Sequence, residues 1–209
     1  MFPLNSVSFP GAPVPLRVFE PRYRALVRAL LAEPEPRWFG TVAIREGYEV
    51  GERAAASLFR IGTRLEVAEL RELPDGGFQL LAVGRDRLIL HHLDVTGPYP
   101  VGSVEPIADD DEEVPTAVVH RARWAYQRYR ELIGAPVEAD LPADPTALGW
   151  TLAGRVPLPL RERQGLLEAT DPASRLIILT DLIEDEVRAI RAIPSLPATE
   201  VARHRFSPN

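Results

Sequence analysis

Within the apolar stretch 15–27, PLRVFEPRYRALV, the densest set of polar side chains able to do chemistry is Arg17, Glu20, Arg22 and Tyr23. Guanidinium forks hold carboxylates and backbone carbonyls well, so Arg17 or Arg22 could grip a peptide. The same set admits a structural role, with Glu20 pairing an arginine and capping a helix to fix a strand-to-helix corner. That role is favoured, because half-buried charges usually come paired. Trp38, Tyr99, Trp124, Tyr126, Tyr129 and Trp150 could line a groove, although aromatics on a periodic face more often pack into a core. Arg17, Glu20, Arg22, Tyr23, Trp38 and Tyr99 are therefore the candidate peptide-binding residues.

Other chemistries lack their parts. His91 and His92 are adjacent in an expected strand, so their side chains leave opposite faces and cannot share a metal. His120 falls on an expected helix and His204 in the tail; no HExxH and no facial-triad spacing is present. Cysteine is absent, and all 24 basic residues are arginine. Without lysine neither a Walker A loop nor a Ser–Lys dyad can operate. Ser6, Ser8, Ser57 and Ser103 sit in no G-x-S-x-G elbow. Asp109–Glu113, five carboxylates in a row, lacks the alternation and glycine of a calcium loop and reads as a solvated linker. The expectation is a chain with no catalytic residue, no bound metal and no cofactor. The arginine-only composition itself reads as codon bias in a GC-rich genome.

The elements that must position the candidate site are legible from periodicity. Val14, Leu16 and Val18 alternate as in a half-buried strand. Pro21 suits the first helical position, and Tyr23, Leu26, Val27, Leu30 and Leu31 then form one helical face. Period-two runs follow around Trp38–Ile44, Phe59–Val67, Phe78–Val83, Leu88–Val95 and Pro98–Ile107, with Pro74-Asp75-Gly76-Gly77 as a turn and Gly84 as a bend or bulge. From residue 114 the pattern is helical. Val118–Ile133 carries a broad apolar face, short helices are expected near Thr146–Ala153 and Leu160–Ala169, and Asp171 and Pro172 open a last helix striped by Leu176, Leu179, Ile183, Val187 and Ile190. The fold class is α+β: a β-rich part over 1–107, an acidic linker over 108–113, a four-helix segment over 114–193 packed against it, and a mobile tail over 194–209.

Composition sets outer bounds. The 209 residues are 45% hydrophobic and 26% charged, ordinary for a globular protein. Residues 1–107 hold 12 Arg against 13 acids and residues 108–209 hold 12 against 17, which makes the chain −6 overall. No apolar run approaches the ~20 residues of a membrane helix, and no leader precedes the first strand, so a cytoplasmic location and no membrane partner are expected.

Read together, Phe2-Pro3-Leu4, Phe9-Pro10-Gly11 and PLRVFEPRY resemble the signature of the Lon protease N-terminal, substrate-binding domain. Further echoes follow in the same order: Phe39-Gly40, Glu49-Val50-Gly51, Ile61-Gly62-Thr63, Pro74-Asp75-Gly76, Val83-Gly84-Arg85, Pro98-Tyr99 and Leu166–Pro172. The resemblance spans residues 1–193 and implies a PUA-like β-barrel with one inserted helix, followed by the helical segment. It implies a stand-alone, non-catalytic module that binds unfolded or extended polypeptide segments, without the ATPase and protease domains. An adaptor role in proteolysis or quality control, beside a protease or chaperone, would follow. Two alternatives stand beside it: an RNA-binding PUA-like domain, or a small-molecule sensor in the barrel–helix cleft. The charge argues against nucleic acid, since such affinity rests on clustered positive charge and this chain is net −6. Purified chain is expected to show neither casein cleavage nor ATP hydrolysis; turnover of either that is abolished by mutating one serine would refute this.

Overall fold

Among the described residues, alternation in the first half resolves into six strands and one helix: β1 (Phe2–Leu4), β2 (Pro13–Val18), α1 (Pro21–Ala32), β3 (Trp38–Ile44), β4 (Leu58–Glu72), β5 (Phe78–Asp94) and β6 (Val101–Ile107). The second half gives α2 (Thr116–Leu132), α3 (Pro145–Arg155), α4 (Leu160–Glu168) and α5 (Pro172–Ala192). The structure is a computed structural model and describes residues 1–45, 58–109, 113–136 and 140–192. The Glu49-Val50-Gly51 echo, residues 110–112 of the acidic linker, Ser57, His204 and the expected mobile tail lie outside the described residues.

The strands form one sheet in the order β1-β3-β4-β5-β2, with β6 also paired to β5. All pairings are antiparallel except β1 with β3. β5 is a single strand of 17 residues where the sequence suggested two. Its first part, Phe78–Val83, pairs with β2, and Arg87–Asp94 pairs with β6 along the same edge. Gly84 stands between those two partners. It is a bulge rather than a break, because the register on β4 shifts by one between Thr63↔Arg87 and Leu65↔Gly84.

A close approach explains why position 84 must be glycine. Phe9-Pro10-Gly11-Ala12 closes a turn through Ala12 N–H to Phe9 O (3.2 Å), with Gly11 at φ 76°, the conformation a type II turn asks of its third residue. That turn docks on Gly84 through Gly11 N–H to Gly84 O (2.9 Å) and Gly84 N–H to Ala12 O (3.0 Å). A Cβ on Gly84 would lie 2.1 Å from the Phe9 carbonyl oxygen. Phe9 itself is fully buried.

Contacts divide the chain into two compact units. The first comprises Met1–Ala108 with Pro157–Glu168; the second comprises Asp109–Val156 and the chain from Ala169 on. The helical segment expected over 114–193 is therefore split, with α4 belonging to the sheet unit. Polar anchors hold it there. Gln164 Nε2 donates to Ile61 O on β4 (3.0 Å), Arg163 donates to Val7 O (3.0 Å), and the buried Arg87 on β5 donates to Leu167 O (3.0 Å).

Among the described residues the sheet unit carries two apolar clusters of buried side chains. One joins α1 (Tyr23, Leu26, Val27, Leu30) to Phe2, Leu4, Val18, Phe39, Leu65, Phe78, Leu80 and Ala82. The other gathers Met1, Val42, Ile44, Leu58, Leu88 and Leu90. In the second unit α2 supplies Ala122, Ala125, Tyr126 and Tyr129, α3 supplies Leu148, Trp150 and Leu152, and α5 supplies Leu176, Leu179 and Ile183. Both α3 and α5 begin on an aspartate followed by proline. Asp144 accepts from Ala147 N–H and Asp171 from Ser174 N–H, each at 2.7 Å. Among the described residues no helix is long and apolar enough to cross a membrane.

Met1 gives the sheet unit a pH dependence. Its ammonium donates to Pro100 O (2.7 Å) in a buried setting, and desolvation lowers its pKa from 8.0 to about 6. The unfolded chain then binds the extra proton between those values, so stability rises with pH across that interval. The two-unit difference corresponds to on the order of 2–3 kcal/mol, absent below pH 6 and fully present above pH 8. Urea unfolding at pH 6 and pH 8 should show this gain; a flat profile would contradict it.

Candidate functional site

The strand-to-helix corner is built from inward and outward alternation on β2. Val18 is buried, and Val14 and Leu16 pack against the first cluster, which leaves Pro13, Pro15 and Arg17 exposed on the outer face. β2 terminates the sheet order, so its far edge has no strand partner among the described residues. Ala12 O accepts from Gly84 N–H, which fixes the even-numbered residues as those bonded to β5. The backbone groups of 13, 15 and 17 then point to the free edge, and two of those three residues are prolines without an N–H. A strand cannot add there with a full ladder.

At the corner Glu20 occupies the N-cap of α1, Pro21 follows, and the Glu20 side chain makes no capping bond. Its carboxylate accepts from Arg22 Nε at 3.1 Å, both side chains being about three-quarters shielded. Glu20 therefore pairs an arginine, as one sequence reading has it, while the expected side-chain cap is not made. Tyr23 is 3% exposed, its ring stacked on Phe2 (4.0 Å, 11°) and carrying the Arg22 guanidinium at 4.4 Å.

The six candidate residues do not converge on one surface. Arg17 reaches Asp75 (3.4 Å) on the outer face, with both groups more than half exposed. The Gly77 N–H holds the Asp75 carboxyl below its usual pKa against an opposing desolvation, and Arg17 adds a smaller lowering. Tyr99 is half-buried against the cluster that contains Phe2 and Tyr23. Trp38 lies on β3, separated from β2 by β4 and β5 in the sheet order, with Arg64 over its ring at 4.4 Å. Of the other aromatics, Tyr126, Tyr129 and Trp150 are buried, while Trp124 is 54% exposed under Arg128.

Two features escaped sequence reasoning. Phe19 is 67% exposed, an aromatic directly between buried Val18 and the half-buried Glu20. Its signal was available: the β2 alternation that turns Val18 inward turns residue 19 outward. Arg17, two residues before it, joins Pro15, Leu16, Leu73 and Gln79 in lining an open trough of about 430 Å³. Only the tertiary pairing of β2, β5 and the 73–77 turn creates it. Among the described residues no group of three His, Asp or Glu side chains could hold a metal ion. His91 instead meets Glu105 at 3.0 Å on the surface.

The sheet, its early helix and the helical companion unit define an α+β fold of the kind found in Lon N-terminal domains. A "Lon N-terminal domain protein" from Xanthomonas campestris aligns with TM-score 0.63 and 28% identity over 85% of this chain and 94% of that one. The N-terminal domain of a Mycobacterium avium complex Lon protease shares the fold at TM-score 0.59 and 17% identity, over 88% and 97% of the two chains. The family model described as the ATP-dependent protease La (LON) substrate-binding domain matches residues 1–185. The chain belongs to that family. It is 26% identical over 203 residues to the Lon protease of Elusimicrobium minutum, covering 88% of this chain but 23% of that relative's length.

The geometry sets the expected effect of Glu20→Ala. An ion pair about three-quarters shielded, with no cap bond to lose, should cost about 1 kcal/mol of stability. Thermal and urea unfolding should show that modest loss. A loss above ~3 kcal/mol would mean that Glu20 makes a buried bond beyond its pair with Arg22.

Proposed function

We propose that this chain is a non-catalytic polypeptide-binding module that recognises exposed apolar or extended segments of other proteins. Membership of a substrate-binding domain family supports the reading. The observation that carries it is Phe19, a large apolar side chain held 67% exposed in the signature stretch, two residues beyond the trough-lining Arg17. Exposing an aromatic ring without using it forgoes the stabilisation its burial would bring. The proline-guarded edge of β2 makes side-chain contact, rather than strand addition, the mode of capture.

On this proposal the sheet unit is a PUA-like barrel, and the module serves a cytoplasmic protease or chaperone as an adaptor in proteolysis or quality control. Arg17 and Trp38 are the exposed or half-exposed members of the candidate set that a ligand can reach; Glu20 and Arg22 shape the corner, and Tyr23 and Tyr99 support it from beneath. RNA binding finds less support, because surface arginines are interleaved with acids, as in Arg64–Asp86, Arg85–Glu66 and Arg121–Glu184.

Phe19→Ser tests the proposal. An exposed ring contributes little to folding, so the melting temperature should stay unchanged while binding of a reduced, unfolded protein falls about tenfold. Wild-type affinity should vary little with salt, as apolar contact is hardly screened. Unchanged binding by Phe19→Ser would remove Phe19 from the site; salt-steep RNA binding with no peptide binding would overturn the proposal.

A further inference from the structure

Register places three polar side chains in a row across the outer face of the sheet unit. Arg17 on β2 is directly opposite Gln79 on β5, and Gln79 is directly opposite Arg71 on β4. All three are exposed. Cross-strand neighbours share a face with Cβ atoms about 5 Å apart, so two guanidiniums flank one amide within reach of a common point above it. In the next rank along the same face Pro15 is opposite Leu81, and Leu81 in turn is opposite the exposed Glu69 of β4. On the other side Leu73, half-buried at the start of the turn, continues the alternation of Glu69 and Arg71. The trough lined by Pro15, Leu16, Arg17, Leu73 and Gln79 runs past this row.

Two like charges two strands apart repel unless an anion joins them. The exposed Glu69 lies two residues from Arg71 on the same strand face, while Asp75 is oriented by its bond to Gly77 N–H and pairs with Arg17. That contact is long and exposed on both sides, worth little in water, and leaves Arg17 with further donors. The trough is open rather than a closed socket, so a chain lying in it can continue in both directions.

We propose that the trough accepts an extended polypeptide segment in which an aspartate or glutamate side chain stands beside apolar residues, with the carboxylate held between Arg17 and Arg71 above Gln79. This deepens the polypeptide-binding reading and rests on it: apolar contact at Phe19, Pro15 and Leu73 supplies affinity, and the arginine pair supplies selection. Carboxylate–guanidinium pairing in a partly shielded groove is shorter and stronger than neutral hydrogen bonding, and its planarity favours a side chain that can turn to meet both forks.

The test uses the full chain and three fluorescein-labelled peptides of Leu, Ala and Ser. The first two have blocked termini and a central Glu or a central Gln; the third is the Gln peptide with a free C-terminal carboxylate. Fluorescence anisotropy should show the Glu peptide binding about five- to tenfold tighter than the blocked Gln peptide at low salt, with the gap closing as salt rises. Arg17→Ala and Arg71→Ala should each remove most of that gap, bringing the Glu peptide's affinity close to the Gln peptide's on the same variant, with the melting temperature unchanged. Leu73→Ser should weaken both blocked peptides alike. Equal binding of Glu and Gln peptides by wild type, or a preference that survives the double Arg17→Ala/Arg71→Ala variant, would overturn this inference and leave polypeptide binding standing. A free-carboxylate peptide that matches the Glu peptide would also overturn it, by assigning the pair to chain ends. Absence of binding by all three peptides and by a reduced, unfolded protein would overturn both readings together.

Discussion

The buried guanidinium of Arg87 is the interaction on which the sheet unit depends. It is 3% exposed, and it donates to the carbonyl of Leu167 at the end of α4 and to that of Ala108 just past β6 (3.2 Å). One side chain thus ties together a strand, the exit of the sheet and a helix that arrives about 60 residues later in sequence. Burying a charge is costly, and only a set of well-placed acceptors offsets it. Arg175 plays the equivalent part in the helical unit. It is fully buried, paired with both Asp109 oxygens (2.6 and 3.2 Å) and stacked on Trp150 at 3.5 Å. Lysine could not replace either. It lacks the planar fork that serves two acceptors at once, and burial would drive its proton off. An arginine-only composition read as genomic bias therefore coincides, at two positions, with a structural need.

How much of this was legible beforehand depended on whether the cause was local. The β2 alternation, the Pro21 start and apolar stripe of α1, and the Asp171–Pro172 opening of α5 are written in neighbouring residues, and the elements stand where those residues place them. β1 is three residues long, contains a proline, and becomes a strand only because β3 offers it a parallel partner. Gly84 was legible as a bend or bulge, but its cause was not: that is the turn at Phe9–Ala12, arriving from about 70 residues upstream. The allegiance of α4 was equally hidden, since Gln164 and Arg163 read as ordinary helix-surface residues until their acceptors, Ile61 and Val7, come within reach.

The candidate site shows the same division. Pairing of Glu20 with an arginine follows from charge and proximity in sequence. Tyr23 drew attention because a polar-tipped aromatic near charges resembles a ligand contact, yet helical periodicity had already assigned it to the apolar face, and it is buried there. Phe19 was overlooked because aromatic residues invite a core assignment by type alone. The trough could not be read at all, as it exists only through the pairing of residues 15–17 with 79–81 and the return of the chain at Leu73.

The sheet unit is discontinuous in sequence: the chain leaves it after Ala108 and returns for Pro157–Glu168. A ribosome making this protein N-terminus first has delivered every strand long before it delivers α4. Until residue 168 emerges, Arg87 lacks its Leu167 acceptor, and the carbonyls of Ile61 and Val7 lack their donors. The nascent sheet must therefore wait, incompletely sealed, while the intervening helices are synthesised. For the same reason a proteolytic cut or gene fusion at the acidic linker would not liberate a finished N-terminal half. The smallest self-sufficient piece containing the sheet has to be cut from the far side of α4.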